Sequence, residues 1–174
     1  NLVGAENRGW TCAKYLLTYE RTNIAGVGQS TAALARLKQV ARRQRRGGQA
    51  LIDDVDFAAR LARVEIELDN MRTTNLRVIA AAAQGGVPGA ESSMLKIRGT
   101  EIRQEISSLA RRAMGVHGRP FIAEALKDGF AGETFGPAYA SAAASRYFNN
   151  RKLSIFGGSN EIQKNIIAKG VLGL

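Results

Sequence analysis

The sequence predicts an all-α fold: an up-down four-helix bundle with an additional helix at its C-terminus. Three observations lead there. Apolar residues recur at three- and four-residue spacing through long segments, and no convincing strand interrupts them. Alanine and leucine dominate over valine and tyrosine, and aromatics make up only 6% of the chain, a balance that favours helix over sheet. The breaks between segments are short or rich in glycine, as connections between antiparallel helices are. At 174 residues the chain fits one domain, residues 1–174, and can bury a sizeable core.

The first helix is expected from about Gly9 to Gln44, with Leu16, Leu17, Ile24, Val27, Leu34, Leu37 and Val40 near helical spacing. Gly26 and Gly28 weaken it locally, as a kink or a close packing point, and Arg46-Gly47-Gly48 ends it. A second helix is expected from Asp53 to Gln84, capped by Asp53 or Asp54. Phe57, Leu61, Val64, Leu68, Met71, Leu76 and Val78 mark its inner face. The run from Gly85 to Gly89 breaks the chain before a third helix, Glu91 to Met114, which carries Met94, Leu95, Ile97, Ile102, Ile106 and Leu109. Gly115 to Pro137 reads as a long surface connection, and Tyr139 to Asn150 as a short alanine-rich helix.

The last segment, Ile155 to Leu174, reads IFGGSNEIQKNIIAKGVLGL. Gly157 and Gly158 allow close backbone approach to a flat ligand. Ser159 and Asn160 are good N-cap residues, and Glu161 falls in the first turn, where the helix dipole favours it. Ile162, Ile166, Ile167, Val171 and Leu172 then form an apolar stripe. On physical grounds alone this is a plain loop-helix connection.

The lone Cys12 excludes an internal disulfide and a cysteine-based zinc site, and its apolar neighbours make it read as a small buried hydrophobe. The only histidine, His117, has no second ligand near it in sequence, so no metal site is expected. Met71, Met94 and Met114 read as core filler, Trp10 as a packing anchor, and Tyr139 and Tyr147 as bundle side chains. No apolar run reaches transmembrane length and no signal peptide opens the chain, so membrane insertion is not expected. The opening NLVGAENRGW reads as a loop entering a helix, which suggests a fragment of a longer polypeptide. A formal charge of +10 and a pI near 10.4 favour anionic partners: nucleic acid, an acidic membrane surface or a phosphate-bearing cofactor.

Both ends of the chain carry a family resemblance. GAENRGW and LLTYERTNIAG near the start, and RYFNNRKLSIFGGSNEIQKNIIAKGVLGL at the end, resemble the C-terminal helical domain of acyl-CoA dehydrogenases. The resemblance implies FAD as cofactor and an acyl-CoA thioester as substrate. In that reaction a base removes the proton α to the thioester carbonyl while hydride leaves the β carbon for the flavin. A carboxylate suits the role when burial and the bound thioester match its basicity to the substrate. The family places this glutamate either before the second glycine of the terminal loop, here Gly157, or on the first helix just before an arginine. The resemblance therefore selects Glu20 as the base. It also implies that Thr18, Tyr19, Arg21, Gly157 and Gly158 bind substrate, and that Ser159, Asn160 and Glu161 contact the flavin nucleotide. Read without the resemblance, Glu20-Arg21 is an ordinary solvated pair.

Departures from the family pattern lie around Arg42, Arg43, Arg45 and Arg46. Family members carry an arginine followed by Phe-Gly at this helix end, on the flavin phosphates of a neighbouring subunit. Here Gly47-Gly48 replaces Phe-Gly, Gln44 falls at the arginine position, and Arg45 substitutes with a one-residue shift. Asp56 falls near the family's adenine-side glutamine, and Met114-Gly115-Val116-His117-Gly118 replaces the usual glycine-rich stretch. The segment RRGGQALIDDVDF resembles the large subunit of the pimeloyl-CoA dehydrogenase type, which implies a heteromeric α2β2 partner. The resemblance further implies a homo- or hetero-oligomer (a dimer of dimers), electron-transferring flavoprotein as acceptor and a bacterial cytoplasmic location. Acyl-chain length stays open. Two alternatives stand beside the enzyme: a non-catalytic subunit that completes a partner's flavin site, and a basic nucleic-acid-binding module. The run RRQRR that motivates the latter lacks interleaved aromatics.

Overall fold

In the computed structural model the described residues are 2–86 and 89–174, with the side chains of residues 18, 19 and 21–24 excepted. Among the described residues six α-helices follow one another: α1 (Gly9–Ile24), α2 (Val27–Arg43), α3 (Val55–Ala83), α4 (Glu91–Ala113), α5 (Ala143–Asn149) and α6 (Asn160–Ile167). The all-α bundle expected from the periodicity is present, with α4 at its centre, packed against α1, α2, α3, α5 and α6.

The expected first helix is two helices. Gly26 adopts φ 61° and ψ 38°, a left-handed conformation that ends the run and opens α2 in a new direction. The corner fits closely against α4: a Cβ on Gly99 would lie 2.4 Å from the carbonyl oxygen of Ala25. A second departure follows α2. Gln44 ends that helix, and Arg45–Arg46 (β1) then pairs antiparallel with Gln49–Ala50 (β2), Arg45 opposite Ala50. Gly47 and Gly48 turn this two-residue ribbon with φ 57° and 83°, the positive pair that a tight hairpin needs.

The caps and inner faces of the long helices follow the sequence closely. Asp54 caps α3, its carboxylate accepting from the Phe57 N–H at 2.9 Å. Phe57, Leu61, Val64, Leu68 and Met71 of α3 meet Leu34, Leu37 and Ala41 of α2 and Leu95, Ile102, Ile106 and Leu109 of α4 in one core. Leu76, expected on the inner face, is 59% exposed. The cause is length, since 29 residues span about 43 Å and α2, with 17, spans about 25 Å. Met114 packs with Ala140 and Ala143 in a smaller cluster against Val40.

Several expectations of burial fail on the outer elements. Cys12 and Leu16 are exposed on α1, Trp10 is 70% exposed, and Met94 is exposed at the start of α4. The side chain of Ile24 lies outside the described residues, as do Val87 and Pro88 of the α3–α4 loop. Ile162, Val171 and Leu172 of the terminal stripe face outward rather than into the bundle. Tyr139 is exposed, with the Gln44 amide donating to its hydroxyl at 2.7 Å. Tyr147 is half-buried between the guanidinium groups of Arg111 and Arg151, 4.6 and 4.5 Å from its ring centre. Among the described residues no helix is long and apolar enough to cross a membrane.

Candidate functional site

The terminal glycine loop is built by its own backbone and held by the buried side chain of Gln163. Gly157 and Gly158 both take positive φ, 68° and 86°, which turns the chain sharply into α6. Gln163, fully buried one turn into α6, reaches back so that its Nε2 donates to the carbonyls of Gly157 and Gly158 at 3.3 and 3.5 Å. A Cβ on Gly158 would lie 2.5 Å from that amide. Ser159 is the N-cap, its hydroxyl accepting from the Ile162 N–H at 3.4 Å.

Asn160 opens α6 and ties it to α4. Its Oδ1 accepts from Lys96 Nζ at 2.9 Å and from the Thr100 hydroxyl at 3.3 Å. Lys96 is wholly inaccessible, as is Thr100. Burial pushes the Lys96 ammonium below its ordinary pKa, and the nearby Glu161 carboxylate offsets part of that shift. Gly99 on the same turn of α4 receives the end of α1 at Ala25. The start of α6 and the end of α1, some 135 residues apart in sequence, therefore meet on one turn of α4.

Glu20 is exposed on α1, five residues before Ala25 and hence about 7.5 Å away along the helix axis. The side chains of Thr18, Tyr19 and Arg21 lie outside the described residues. Gly157 and Ser159 are half-buried, Asn160 is buried, and Gly158 and Glu161 are exposed. The hydrogen bond from its own backbone N–H, then one from Ser159, holds the Glu161 carboxyl below its ordinary pKa of 4.5, helped by Lys164 and Lys96. A carboxylate whose pKa is lowered by folding stabilises at neutral pH, and that contribution is lost as pH falls through its folded value. Glu161→Gln is therefore expected to flatten the loss of stability below pH 4.5, measured by urea unfolding from pH 7 to pH 3. An unchanged acid limb would show that this carboxylate contributes nothing to holding α6.

Arg45 does not join this loop. It lies with Gln44, Arg46, Arg112 and His117 around a cavity of about 230 Å³ at the far end of α4. Seventeen residues separate Lys96 from Ala113 there, about 25 Å of helix. Arg46 pairs with Asp54 at 3.3 Å. A larger cleft of about 410 Å³, lined by Thr74, Arg77, Val78 and Met94, opens between α3 and the start of α4, where sequence reading placed no site residue. Among the described residues no three His, Cys, Asp or Glu side chains group to hold a metal ion.

Sequence reading missed Lys96, Thr100 and Gln163. A signal was present for the first of them: Lys96 puts a charge inside the apolar run Met94-Leu95-Lys96-Ile97. Only the return of α6 onto α4 shows what that charge meets.

The comparisons with known proteins agree with this architecture. Acyl-CoA dehydrogenase IpdE1 of Mycobacterium tuberculosis is 32% identical over 173 residues, which cover 99% of this chain and 40% of that protein. The chain thus spans well under half the length of the curated relative it matches. The crystal structure of the ChsE4-ChsE5 complex from Mycobacterium tuberculosis aligns over 99% of this chain and 42% of that one, at TM-score 0.75 and 26% identity. The structure of PigA with FAD and proline shares the fold at TM-score 0.77 and 21% identity, over 99% of this chain and 40% of that one. Residues 7–172 match the family described as acyl-CoA dehydrogenase, C-terminal domain, and the chain belongs to that family.

Proposed function

We propose that this chain is the C-terminal helical domain of an FAD-dependent acyl-CoA dehydrogenase that forms a double bond between the α and β carbons of an acyl-CoA thioester. The observation that carries the reading is the meeting of α1, which bears Glu20, and the terminal glycine loop on one turn of α4. Glu20 takes the α proton. Thr18, Tyr19 and Arg21 line the thioester side, and the bare backbone of Gly157 and Gly158 lets the acyl chain lie flat. Ser159, Asn160 and Glu161 meet the flavin nucleotide, where the first N–H groups of α6 favour acceptor oxygens.

The residues present fit the cofactor. The cavity bounded by Arg45, Arg46 and Arg112 matches the charge of a diphosphate, and the start of α6 offers donors to a second part of the nucleotide. Their separation of about 25 Å along α4 exceeds what one compact group bridges, so the two places serve different flavins across a subunit interface. FAD, when bound, supplies the acceptor for the hydride that leaves the β carbon. The remainder of a longer polypeptide supplies an N-terminal helical and a β domain, and this chain alone is inactive. The assembly is a dimer of dimers in the bacterial cytoplasm, with electron-transferring flavoprotein as electron acceptor.

A second reading rests on the Gly47-Gly48 hairpin, which stands where the family carries Phe-Gly, and on the heteromeric character of the ChsE4-ChsE5 relative. In it this chain is the non-catalytic member of a pair and completes its partner's flavin site. A nucleic-acid role fits less well, because RRQRR is divided between the end of α2 and the hairpin and Arg46 is already paired with Asp54.

Anaerobic titration of the full-length protein, co-expressed with any partner subunit, against a panel of acyl-CoA thioesters tests the proposal. Bleaching of bound flavin by at least one thioester is the expected result. A colourless, correctly assembled preparation would reject it in favour of the non-catalytic reading.

A further inference from the structure

We propose that Lys96 is a positioning residue that fixes the side-chain amide of Asn160 so that its Nδ2 donates to an oxygen acceptor of the bound flavin nucleotide. The inference deepens the proposed function and rests on it. From α4 the Lys96 ammonium donates to Asn160 Oδ1 at 2.9 Å, and the Thr100 hydroxyl, whose nearer acceptor is the Ile97 carbonyl at 2.8 Å, lies 3.3 Å from the same oxygen. The ammonium sets the orientation of the amide, since a rotated group would point its own NH2 at a Lys96 that has only donors. The Nδ2 end has no acceptor among the described residues and is not among their buried unsatisfied atoms. It is therefore left to an acceptor outside them.

Stability alone gives no account of Lys96. An ammonium with no accessible surface loses its hydration, and its one direct acceptor among the described residues is a neutral amide. Replacing buried charge with apolar volume is often neutral or stabilising. The lysine acts on Asn160, and Asn160 stands between Ser159 and Glu161 at the mouth of α6. Gln163 holds the opposite side of the loop through the Gly157 and Gly158 carbonyls, so the amide is presented from a framework anchored on both sides.

Two variants of the full-length protein separate this role from plain packing. Lys96→Met removes the donor but keeps the volume. Asn160→Asp keeps acceptor oxygens for Lys96 and Thr100 but replaces the outward NH2 with oxygen. Each is expected to raise the FAD dissociation constant at least tenfold, measured by flavin fluorescence quenching, and to alter the visible circular dichroism of bound flavin. Helix content and apoprotein melting temperature are expected to hold or rise. FAD affinity within threefold of wild type in both variants overturns the proposal, as does a loss of affinity that tracks a fall in melting temperature. Should Lys96→Met fail to fold, Asn160→Asp decides alone. A wild-type protein that binds no FAD overturns the functional reading and this inference together. A wild type that binds and bleaches, with both variants unaffected, overturns the inference only.

Discussion

Glu20→Gln in the full-length protein is expected to slow substrate-driven flavin bleaching by about 10²–10⁴-fold, the usual contribution of a positioned acid or base. The substitution keeps the side chain's size and removes only its ability to take a proton. Glu20 is exposed on α1 and is not part of the core, so stability should change by no more than about 0.5 kcal/mol. A loss of rate without a loss of stability isolates the chemistry. Stopped-flow absorbance under anaerobic conditions measures it, with denaturant unfolding as the control. A rate within twofold of wild type would return Glu20-Arg21 to an ordinary solvated pair and move proton abstraction elsewhere. Gly157 makes that outcome instructive, because the terminal loop, the other place the family puts its glutamate, has no side chain to offer.

Gly99→Ala is the second large effect, expected to destabilise the domain by about 1–3 kcal/mol through overpacking. The added methyl would stand 2.4, 2.7 and 2.9 Å from the O, Cα and C atoms of Ala25. All three are backbone atoms, so no flexible side chain can give way. Relief requires α1 to move off α4, and α1 carries Glu20. The variant should therefore lose bleaching activity as well as stability. Gly28→Ala supplies the contrast. Nothing lies within 4 Å of its Cβ position, and it sits in the first turn of α2, where alanine is a better helix former. Urea unfolding of the two proteins should place Gly28→Ala at or above wild type and Gly99→Ala well below. Equal midpoints for the two would mean that the α1–α4 corner is not packed as tightly as Ala25 and Gly99 indicate.

The long helices were legible because two independent signals coincide in them. Asp54 caps α3 and accepts from Phe57, and the apolar positions from Phe57 to Met71 then recur at the period of a helix that rests on a flat core. Local chemistry and periodicity name the same residues there. At Gly26 they do not. A glycine inside an apolar-periodic run is compatible with a kink, a packing point or a full corner, and only the close seat of Ala25 on Gly99 selects the corner. Gly47 and Gly48 read as a helix stop, which they are. That they also turn a paired ribbon depends on Gln49 and Ala50 coming back alongside Arg46 and Arg45.

Burial was the least legible property. Trp10, Cys12 and Ile162 are apolar residues in helices, and nothing local distinguishes them from Leu37 or Leu109, which are buried. Hydrophobicity states that a side chain avoids water, not which surface covers it. The candidate site divides along the same line. The residues of the glycine loop and the Glu20-Arg21 pair stand in sequence as recognisable strings, because backbone freedom and helix capping are local properties. Lys96 and Thr100 stand in no string, and Gln163 stands in the terminal one without a mark of what it holds. Their roles arise from hydrogen bonds across 64, 60 and 5–6 residues, and the first two exist only because α6 folds back onto α4.

By itself, then, the sequence determined the fold class, the extents of α3 and α4, the capped start of α6 and the family-like segments at both ends. Those features follow from spacing, propensity and capping within a few turns of chain. The tertiary structure decided the corner at Gly26, the outward faces of α1 and α6, the distance of Arg45 from the terminal loop, and the hold of Lys96 on Asn160. Each of these depends on which surfaces meet after distant segments have closed over one another, and hydrophobic burial, being non-directional, leaves that choice to the packing of the whole.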